Sequence, residues 1–347
     1  MHHVIVAWAN SNAAEFEAQV PLEFIARRYR RLGYEARFQI VVLQGYERLE
    51  TDYRSRLAEL GFELHDAGAM FDEMHRQYLG LDRFGRYEVS CFLRWPVLHR
   101  IFGDDAFVHY DGDVVLNVPA EEVARRFAGT SFVLQGCPAF TVVSDSTWYD
   151  QYEHELAEFS ADTDGYSARA WRERAGWEES AEQKWAGSRF RETISSDQDF
   201  ISHLIHTGRL LQARKECVLE RLGDWMAIEN PLYPDAYYPA DRLAYSRSNS
   251  IDRFNGRPVM MWHMQTSFYV YLARHIIQSS YSPLASRRRL PLHLAGLEYL
   301  GYRALAGMTR NSPTKRRAIY EAYFDRMDFS PVFNDRRWWK PGVFGTN

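Results

Sequence analysis

Residues 107–116 read FVHYDGDVVL, and this stretch decides the fold of the chain. Four bulky residues suited to a buried strand lead into two carboxylates, Asp111 and Asp113. Because a buried carboxylate is costly unless a positive charge compensates it, the pattern predicts a divalent cation here. Mg²⁺ and Mn²⁺ prefer hard oxygen ligands and often take only one or two carboxylates from the protein. Gly112 would let a pyrophosphate approach the backbone closely.

The chain before this stretch alternates strands with helices. We expect strands at residues 3–9, 37–43 and 62–65, and helices at residues 15–32 and 52–60. Such alternation predicts parallel strands joined by crossover helices. Ligands then bind at the carboxyl ends of the strands.

A further helix, at residues 87–98, precedes the carboxylates and carries Arg94. Residues 87–117 together resemble the core segment of GT-A glycosyltransferases, and they are most similar to the glycogenin and bacterial lipopolysaccharide galactosyltransferase group. The resemblance covers residues 3–270 as topology. It implies an α/β fold with a GT-A-type, Rossmann-like, mostly parallel sheet flanked by helices.

The resemblance also implies roles for single residues. Arg94 falls where the family has a sugar-contacting arginine. Asp197, Gln198 and Asp199, at the start of an apolar helix, resemble the stretch that lies beside the donor sugar. His263, at the end of an apolar run, falls where the family supplies a third metal ligand.

Ordinary structural explanations stay open for these motifs. The Ser195–Asp199 stretch is also typical of a capped helix start. A single histidine in an apolar run is often a hydrogen-bonded core residue. The lysine, proline and tryptophan that often follow the family histidine do not follow His263 in this chain.

The function implied by the resemblance is sugar transfer from a nucleotide-diphosphate sugar, first of all a UDP-sugar, to a glycan, lipid-linked or other hydroxyl acceptor. Mn²⁺ or Mg²⁺, held by Asp111, Asp113 and His263, would stabilise the leaving diphosphate. The resemblance implies retention of stereochemistry. An inverting enzyme would instead use Asp197 or Asp199 as its base. Polysaccharide biosynthesis is the expected setting.

Four residues at or near the ends of the predicted strands are candidates for binding the nucleoside, together with the Asp111-Gly112-Asp113 stretch. They are Ala7, Asn10, Ser11 and Asp66. Turn formation explains the polar ones equally well. The chain has neither a Gly-x-Gly-x-x-Gly motif nor a P-loop, which argues against an ordinary dinucleotide fold and against P-loop enzymes.

We expect a catalytic domain at residues 1–280 and a basic helical extension at residues 281–347. The extension carries 12 Lys and Arg against 5 Asp and Glu. Residues 281–340 are therefore a candidate for peripheral contact with an anionic membrane, with a solvated face or a homo-oligomer contact as alternatives. An aromatic-rich insertion at residues 145–192 is either a lid that binds the acceptor or a satellite hydrophobic cluster.

Composition excludes several classes of protein. Cys91, Cys137 and Cys217 lack the spacing of a disulfide framework or a thiolate zinc site. No signal peptide and no apolar run of about 18 residues is apparent, so we expect a cytoplasmic protein, peripheral at most to the inner face of the membrane. A net charge of −4 and the lack of a recognition motif argue against a nucleic-acid partner.

Three alternatives remain. The stretch at residues 110–116 also matches haloacid-dehalogenase-like phosphatases, in which Asp111 would be the nucleophile, but two or three β/α units precede it here. Asp199, His203 and His206 share one helix face and could form a zinc site, although packing of these histidines is preferred. A GT-A protein that binds sugar nucleotides without catalysis is the third alternative.

Overall fold

The structure is a computed structural model, and it describes residues 2–9, 14–16, 20–34, 37–119, 121–122, 125, 130–134, 137–143, 146–173, 194–210, 213–215, 226–228, 245–248, 251–254 and 256–263. The chain divides into two compact units. The first unit comprises Met1–Glu17, Ala36–Gly112 and Pro119–Gly223. The second unit comprises Ala18–Glu35, Asp113–Val118 and Asp224–Asn347.

The described strands are, in chain order, β1 (His2–Trp8), β2 (Phe38–Gln44), β3 (Phe62–Asp66), β4 (Phe107–Tyr110), β5 (Val114–Leu116), β6 (Thr130–Leu134), β7 (Cys137–Val143), β8 (Ala213–Lys215), β9 (Met226–Ile228), β10 (Tyr245–Ser248), β11 (Ile251–Phe254) and β12 (Arg257–His263). The described α-helices are α1 (Leu22–Arg31), α2 (Thr51–Glu59), α3 (Gly68–Gln77), α4 (Arg86–Phe102), α5 (Thr147–Ala161), α6 (Thr163–Glu173) and α7 (Asp197–His206).

The sheet of the first unit has the strand order β3-β2-β1-β4-β7-β6-β8. Strands β3, β2, β1 and β4 are parallel neighbours, and β8 is parallel to β6. Only β7 runs antiparallel to both of its neighbours. Helices such as α3 and α4 pack on this sheet. The mostly parallel α/β sheet flanked by helices that the sequence predicts is therefore confirmed.

One predicted helix begins later than expected. The apolar periodicity over residues 15–32 predicts a single helix, but α1 starts only at Leu22. Pro21 precedes it with an extended ψ of 130°. A proline is tolerated at a helix start because the N–H that it lacks would have no partner there. Glu15 lies before this helix and accepts a hydrogen bond from Arg56 at 2.8 Å.

Helix α4 continues through a proline. Pro96 lies inside the helix and has no N–H to donate to the carbonyl of Phe92, four residues earlier. The hydroxyl of Tyr152 on α5 donates to that carbonyl instead, at 2.9 Å. A side chain from a neighbouring helix thus compensates for the backbone hydrogen bond that the proline removes.

The aromatic residues at the start of the 145–192 segment belong to the core. Trp148, Tyr149 and Tyr152 lie on α5 and are at most 1% exposed. The Trp148 ring makes an edge contact with Trp95 at 5.0 Å between centroids. These three side chains therefore support the hydrophobic-cluster interpretation rather than a sugar-binding lid. Trp177 and Trp185 lie outside the described residues.

The second unit has a sheet of its own, which the sequence did not predict. Its strand order is β10-β11-β12-β5, and β9 pairs with β12. Arg28 on α1 donates to the Asn117 side chain at 2.7 Å, and Asn117 donates to the carbonyl of Val259 at 3.0 Å. The fully buried Asn117 thereby ties α1 to β12. The predicted extension at residues 281–347 lies outside the described residues.

Within the described ranges, none of the helices has the length and apolar character needed to cross a membrane.

Tyr152→Phe should destabilise the protein by about 1–3 kcal/mol, because it leaves the Phe92 carbonyl buried without a donor. Urea denaturation of the wild type and the variant measures the difference in the free energy of unfolding.

Tyr149→Phe is the matched control on the same helix. Its hydroxyl is buried, and in the described structure it has no hydrogen-bond partner. This substitution should be neutral or slightly stabilising. Equal losses in the two variants would show that the Tyr152 hydroxyl has no special role.

Candidate functional site

The candidate site lies at the carboxyl ends of β1 and β4 in the first unit. These parallel neighbours flank the point where the strand order reverses, since β2 and β3 extend from β1 in one direction and β4 lies in the other. In open α/β sheets, ligands bind in the crevice at such a switch point. The sequence prediction of a ligand site after β4 agrees with this topology.

Asp111 is held at the end of β4 by its backbone. Its N–H donates to the carbonyl of Ala139 on β7 at 2.8 Å, which adds one more hydrogen bond to the β4–β7 ladder. The Asp111 side chain is 33% exposed. Gly112 and Asp113, which follow it, are also partly exposed. A carboxylate is thus presented at the edge of the sheet by a fixed backbone.

Arg94 connects this carboxylate to a second one. The guanidinium donates from Nη1 to Oδ1 of Asp111 at 2.8 Å. Its Nε and Nη2 both contact Oδ2 of Asp197, at 2.8 Å and 2.6 Å. The Arg94 side chain is only 7% exposed and that of Asp197 only 3%. Arg94 is predicted to contact a sugar, and in this structure its guanidinium binds two carboxylates of the protein.

Trp95 completes this arrangement, and sequence reasoning missed it. Its indole N–H donates to the same Asp197 oxygen at 2.9 Å. The ring is fully buried, and the Arg94 guanidinium lies 5.0 Å from its centroid. The sequence gives no local signal that the indole N–H of Trp95 will donate to a carboxylate far along the chain.

Electrostatics keep Arg94 charged. Burial opposes its charge, but the carboxylates of Asp197 and Asp111 outweigh burial, so the pKa of Arg94 lies well above its usual value. Burial raises the pKa of Asp197, and Arg94 acts in the opposite direction. Formally, one guanidinium and two carboxylates carry a net negative charge. Such a site attracts cations.

His109 adds no positive charge to this site. It is fully buried, and burial followed by the nearby Arg94 lowers its pKa to about 3. We assign the Nδ1–H as the donor to the carbonyl of Pro138, at 3.2 Å. The other ring nitrogen lies 3.8 Å from Oδ1 of Asp111. The neutral ring therefore packs beside Asp111 without compensating its charge.

The Asp197-Gln198-Asp199 stretch starts α7, and its members differ in role. Asp197 is taken up by Arg94 and Trp95. Asp199 accepts hydrogen bonds from the backbone N–H and the hydroxyl of Ser195, at 3.0 Å and 2.6 Å. Gln198 is partly exposed, and within the described ranges its amide takes part in no hydrogen bond or ion pair. Of the three, Gln198 is the side chain left for a ligand.

The predicted nucleoside contacts are only partly described. Ala7 lies on β1, partly buried, in register with Val42. Asp66 is exposed and accepts a hydrogen bond from the N–H of Gly68 at 3.0 Å, so it forms the turn into α3. Asn10 and Ser11 lie outside the described residues.

An aromatic pair lies at the same edge of the sheet. Trp8 at the end of β1 makes an edge contact with Tyr87 at the start of α4, with 5.6 Å between ring centroids. The Tyr87 side chain lies close enough to Arg94 and Asp111 to be affected by their charges. Tyr87 is nevertheless 60% exposed, which is unusual for a ring of this size. Sequence reasoning did not single out either residue.

Gly45 closes this edge next to β1. Its φ of +83° favours glycine, and a Cβ there would lie 2.6 Å from the carbonyl oxygen of Ala9. The same carbonyl accepts a hydrogen bond from Arg48 at 2.6 Å. A side chain at residue 45 would therefore clash with the backbone just after β1.

Asp111 and Asp113 are each chemically suited to a hard divalent cation. Asp111 and Asp113 supply partly exposed carboxylates, and oxygen ligands of this kind suit Mg²⁺ and Mn²⁺. In the second unit, the backbone of His263 pairs with Val114, the residue after Asp113. The His263 side chain lies outside the described residues. Among the described side chains, no three acids, histidines or cysteines form a group that could hold a metal.

The zinc alternative on α7 finds no support. His203 is 1% exposed, and the Arg209 guanidinium lies 2.8 Å from its Nε2, where a metal would bind. Burial and Arg209 lower the pKa of His203 to about 4. His206 is exposed. The preferred interpretation, a helix that packs its histidines, therefore holds for His203 and not for His206.

No family model and no curated protein sequence matches the chain. Among solved structures, the chain is similar to the apo form of mouse xyloside xylosyltransferase 1, with 12% sequence identity and a TM-score of 0.42, over 77% of this chain and 98% of that chain. The narrower prediction of the glycogenin group stays a prediction.

Arg94→Lys should lower the free energy of unfolding by about 2 kcal/mol, because one ammonium cannot reach both Asp111 and Asp197. Arg100→Lys, at an exposed position on the same helix, should change it by less than about 0.5 kcal/mol. Chemical denaturation of both variants checks this. Equal stabilities for Arg94→Lys and the wild type would mean that the bridge contributes little to the fold.

Proposed function

We propose that this protein is a metal-dependent glycosyltransferase that uses a nucleotide-diphosphate sugar. The observation that carries the proposal is the partly exposed Asp111 carboxylate at the switch point of the sheet. It is followed by Asp113 and backed by a buried arginine that already has a second counter-ion. This combination supplies hard oxygen ligands and net negative charge where an α/β sheet binds its ligand.

Asp111 and Asp113, with His263 as a third ligand, are the residues proposed to hold Mn²⁺ or Mg²⁺. When bound, such an ion offsets the negative charge that develops on the departing diphosphate. Gly112 leaves room between the two carboxylates for the phosphates. The proposed donor is a UDP-sugar.

Tyr87 is proposed to bind the nucleobase by stacking, with Trp8 supporting its ring from the side. An exposed aromatic ring at the carboxyl end of β1 offers a flat apolar surface of the right kind. Ala7, Asn10, Ser11 and Asp66 stay proposed nucleoside contacts.

Gln198 is proposed to orient the sugar near the reacting carbon. Its amide has both a donor and an acceptor for sugar hydroxyls. Asp197 and Asp199 are poorly suited to act as the base of an inverting reaction, because Oδ2 of each already accepts hydrogen bonds within the protein. This supports retention of stereochemistry, in which the acceptor attacks from the leaving-group side.

The acceptor is proposed to be a glycan, lipid-linked or other hydroxyl compound, in a cytoplasmic setting. Contact with a membrane through residues 281–340 and homo-oligomer formation stay predictions, because that segment lies outside the described residues.

A phosphatase of the haloacid-dehalogenase type remains the second candidate to test. It would require Asp111 to attack phosphorus, whereas here Oδ1 of Asp111 is bonded to Arg94. The strand that leads into Asp111 is also the fourth in the chain rather than the first.

Nucleoside diphosphate should stabilise the protein only when Mn²⁺ is present. UDP or GDP at about 100 times its dissociation constant should add about 2.7 kcal/mol of stability and raise the melting temperature by about 4 °C. Differential scanning fluorimetry measures this. Beryllium fluoride with Mg²⁺, which mimics an aspartyl phosphate, should give no shift.

Asp113→Asn should remove the Mn²⁺-dependent part of the shift. Asp104→Asn, at an exposed position in the turn after α4, should leave it intact. Strong stabilisation by beryllium fluoride together with no response to UDP or GDP would overturn the transferase proposal in favour of the phosphatase.

A further inference from the structure

Arg94 and a divalent cation would compete for the same carboxylate. Nη1 of Arg94 lies 2.8 Å from Oδ1 of Asp111, the distance of a charge-assisted hydrogen bond. Asp111 is the first acid of the proposed metal pair. Its exposed fraction of 33% means that a cation can reach it from solvent, while Arg94 approaches it from the buried side.

Resting on the proposed function, we propose that Arg94 is the resident counter-ion of Asp111 and that a divalent cation binds by taking Asp111 from Arg94. Without a bound metal, Asp111 is thus paired with an internal cation. Metal binding exchanges an internal cation for an external one.

Asp197 lowers the electrostatic cost of this exchange. When Asp111 is taken, Arg94 still has Asp197, which it contacts through Nε and Nη2 at 2.8 Å and 2.6 Å. A buried guanidinium left with no counter-ion would be strongly destabilising. Asp197 prevents that cost, because two of the three nitrogens of Arg94 keep their partner throughout.

Trp95 keeps Asp197 in place during the exchange. Its indole donates to the same oxygen that Arg94 uses, at 2.9 Å, and its ring is fully buried against Trp148. Asp197 therefore stays in position when Arg94 loses its bond to Asp111. In this arrangement Asp197 and Trp95 are positioning residues that act through Arg94.

The inference predicts opposite effects for two substitutions in one network. Arg94→Gln removes the competing cation, so Asp111 is available and Mn²⁺ should bind about tenfold more tightly than to the wild type. Asp197→Asn removes the alternative counter-ion, so Arg94 depends on Asp111 alone. Mn²⁺ should then bind about tenfold more weakly.

The test is a titration of each full-length protein with Mn²⁺ alone, without nucleotide, in which electron paramagnetic resonance measures the free ion. Arg100→Gln is the control, since it removes one positive charge from an exposed position of the same helix. The double variant R94Q/D197N leaves neither charge buried without a partner. It should fold even if Arg94→Gln does not, and it should bind Mn²⁺ more tightly than the wild type.

The outcomes separate this inference from the proposed function. Tighter binding by Arg94→Gln or the double variant, with weaker binding by Asp197→Asn and an unchanged Arg100→Gln, supports the exchange. If the wild type binds Mn²⁺ and removal of Arg94 leaves the affinity equal or lower, the inference is overturned while metal-dependent transfer stands. If neither the wild type nor the variants lacking Arg94 retain Mn²⁺, both the exchange and the metal-dependent function are overturned.

Discussion

A single guanidinium group joins the three elements that build the candidate site. Arg94 lies on α4, Asp111 follows β4 and Asp197 begins α7, and all three side chains meet within 2.8 Å contacts. Because Arg94 and Asp197 are almost fully buried, neither can exist there as a charge without the other. The position of α7 beside the sheet, and with it the position of Gln198, depends on this pair.

The pair also explains how the chain tolerates acidic groups at the edge of an apolar sheet. Two carboxylates that share one guanidinium leave a formal net negative charge. Asp113, two residues after Asp111, is a further acidic residue. His109 beside them stays neutral because it is fully buried. A net negative charge of this kind favours the approach of a cation, as the proposed metal site requires.

Local patterns in the sequence account for much of the fold and only part of the site. The strand at residues 107–110 and the helix before it follow from bulky apolar runs, so the sequence places Arg94 and Asp111 near one edge of the sheet. The bond between Arg94 and Asp197 spans 103 positions and has no local signature. The same holds for Tyr152, whose hydroxyl is required only because Pro96 interrupts a helix elsewhere. The sequence predicts the start of α1 too early, because the apolar periodicity extends over residues 15–21. Pro21 has an extended ψ, and the helix begins only after it.

The central claim, that Asp111 marks the donor site of a glycosyltransferase, is tested most directly by hydrolysis of a panel of nucleotide sugars with Mn²⁺. Transferases often release nucleoside diphosphate slowly when no acceptor is present, and that product is quantified by chromatography. The account predicts metal-dependent release of a nucleoside diphosphate from one donor, lost in Asp111→Asn and kept in Asp104→Asn. Release of inorganic phosphate instead, or turnover of every donor at the same rate in Asp111→Asn and the wild type, would contradict it.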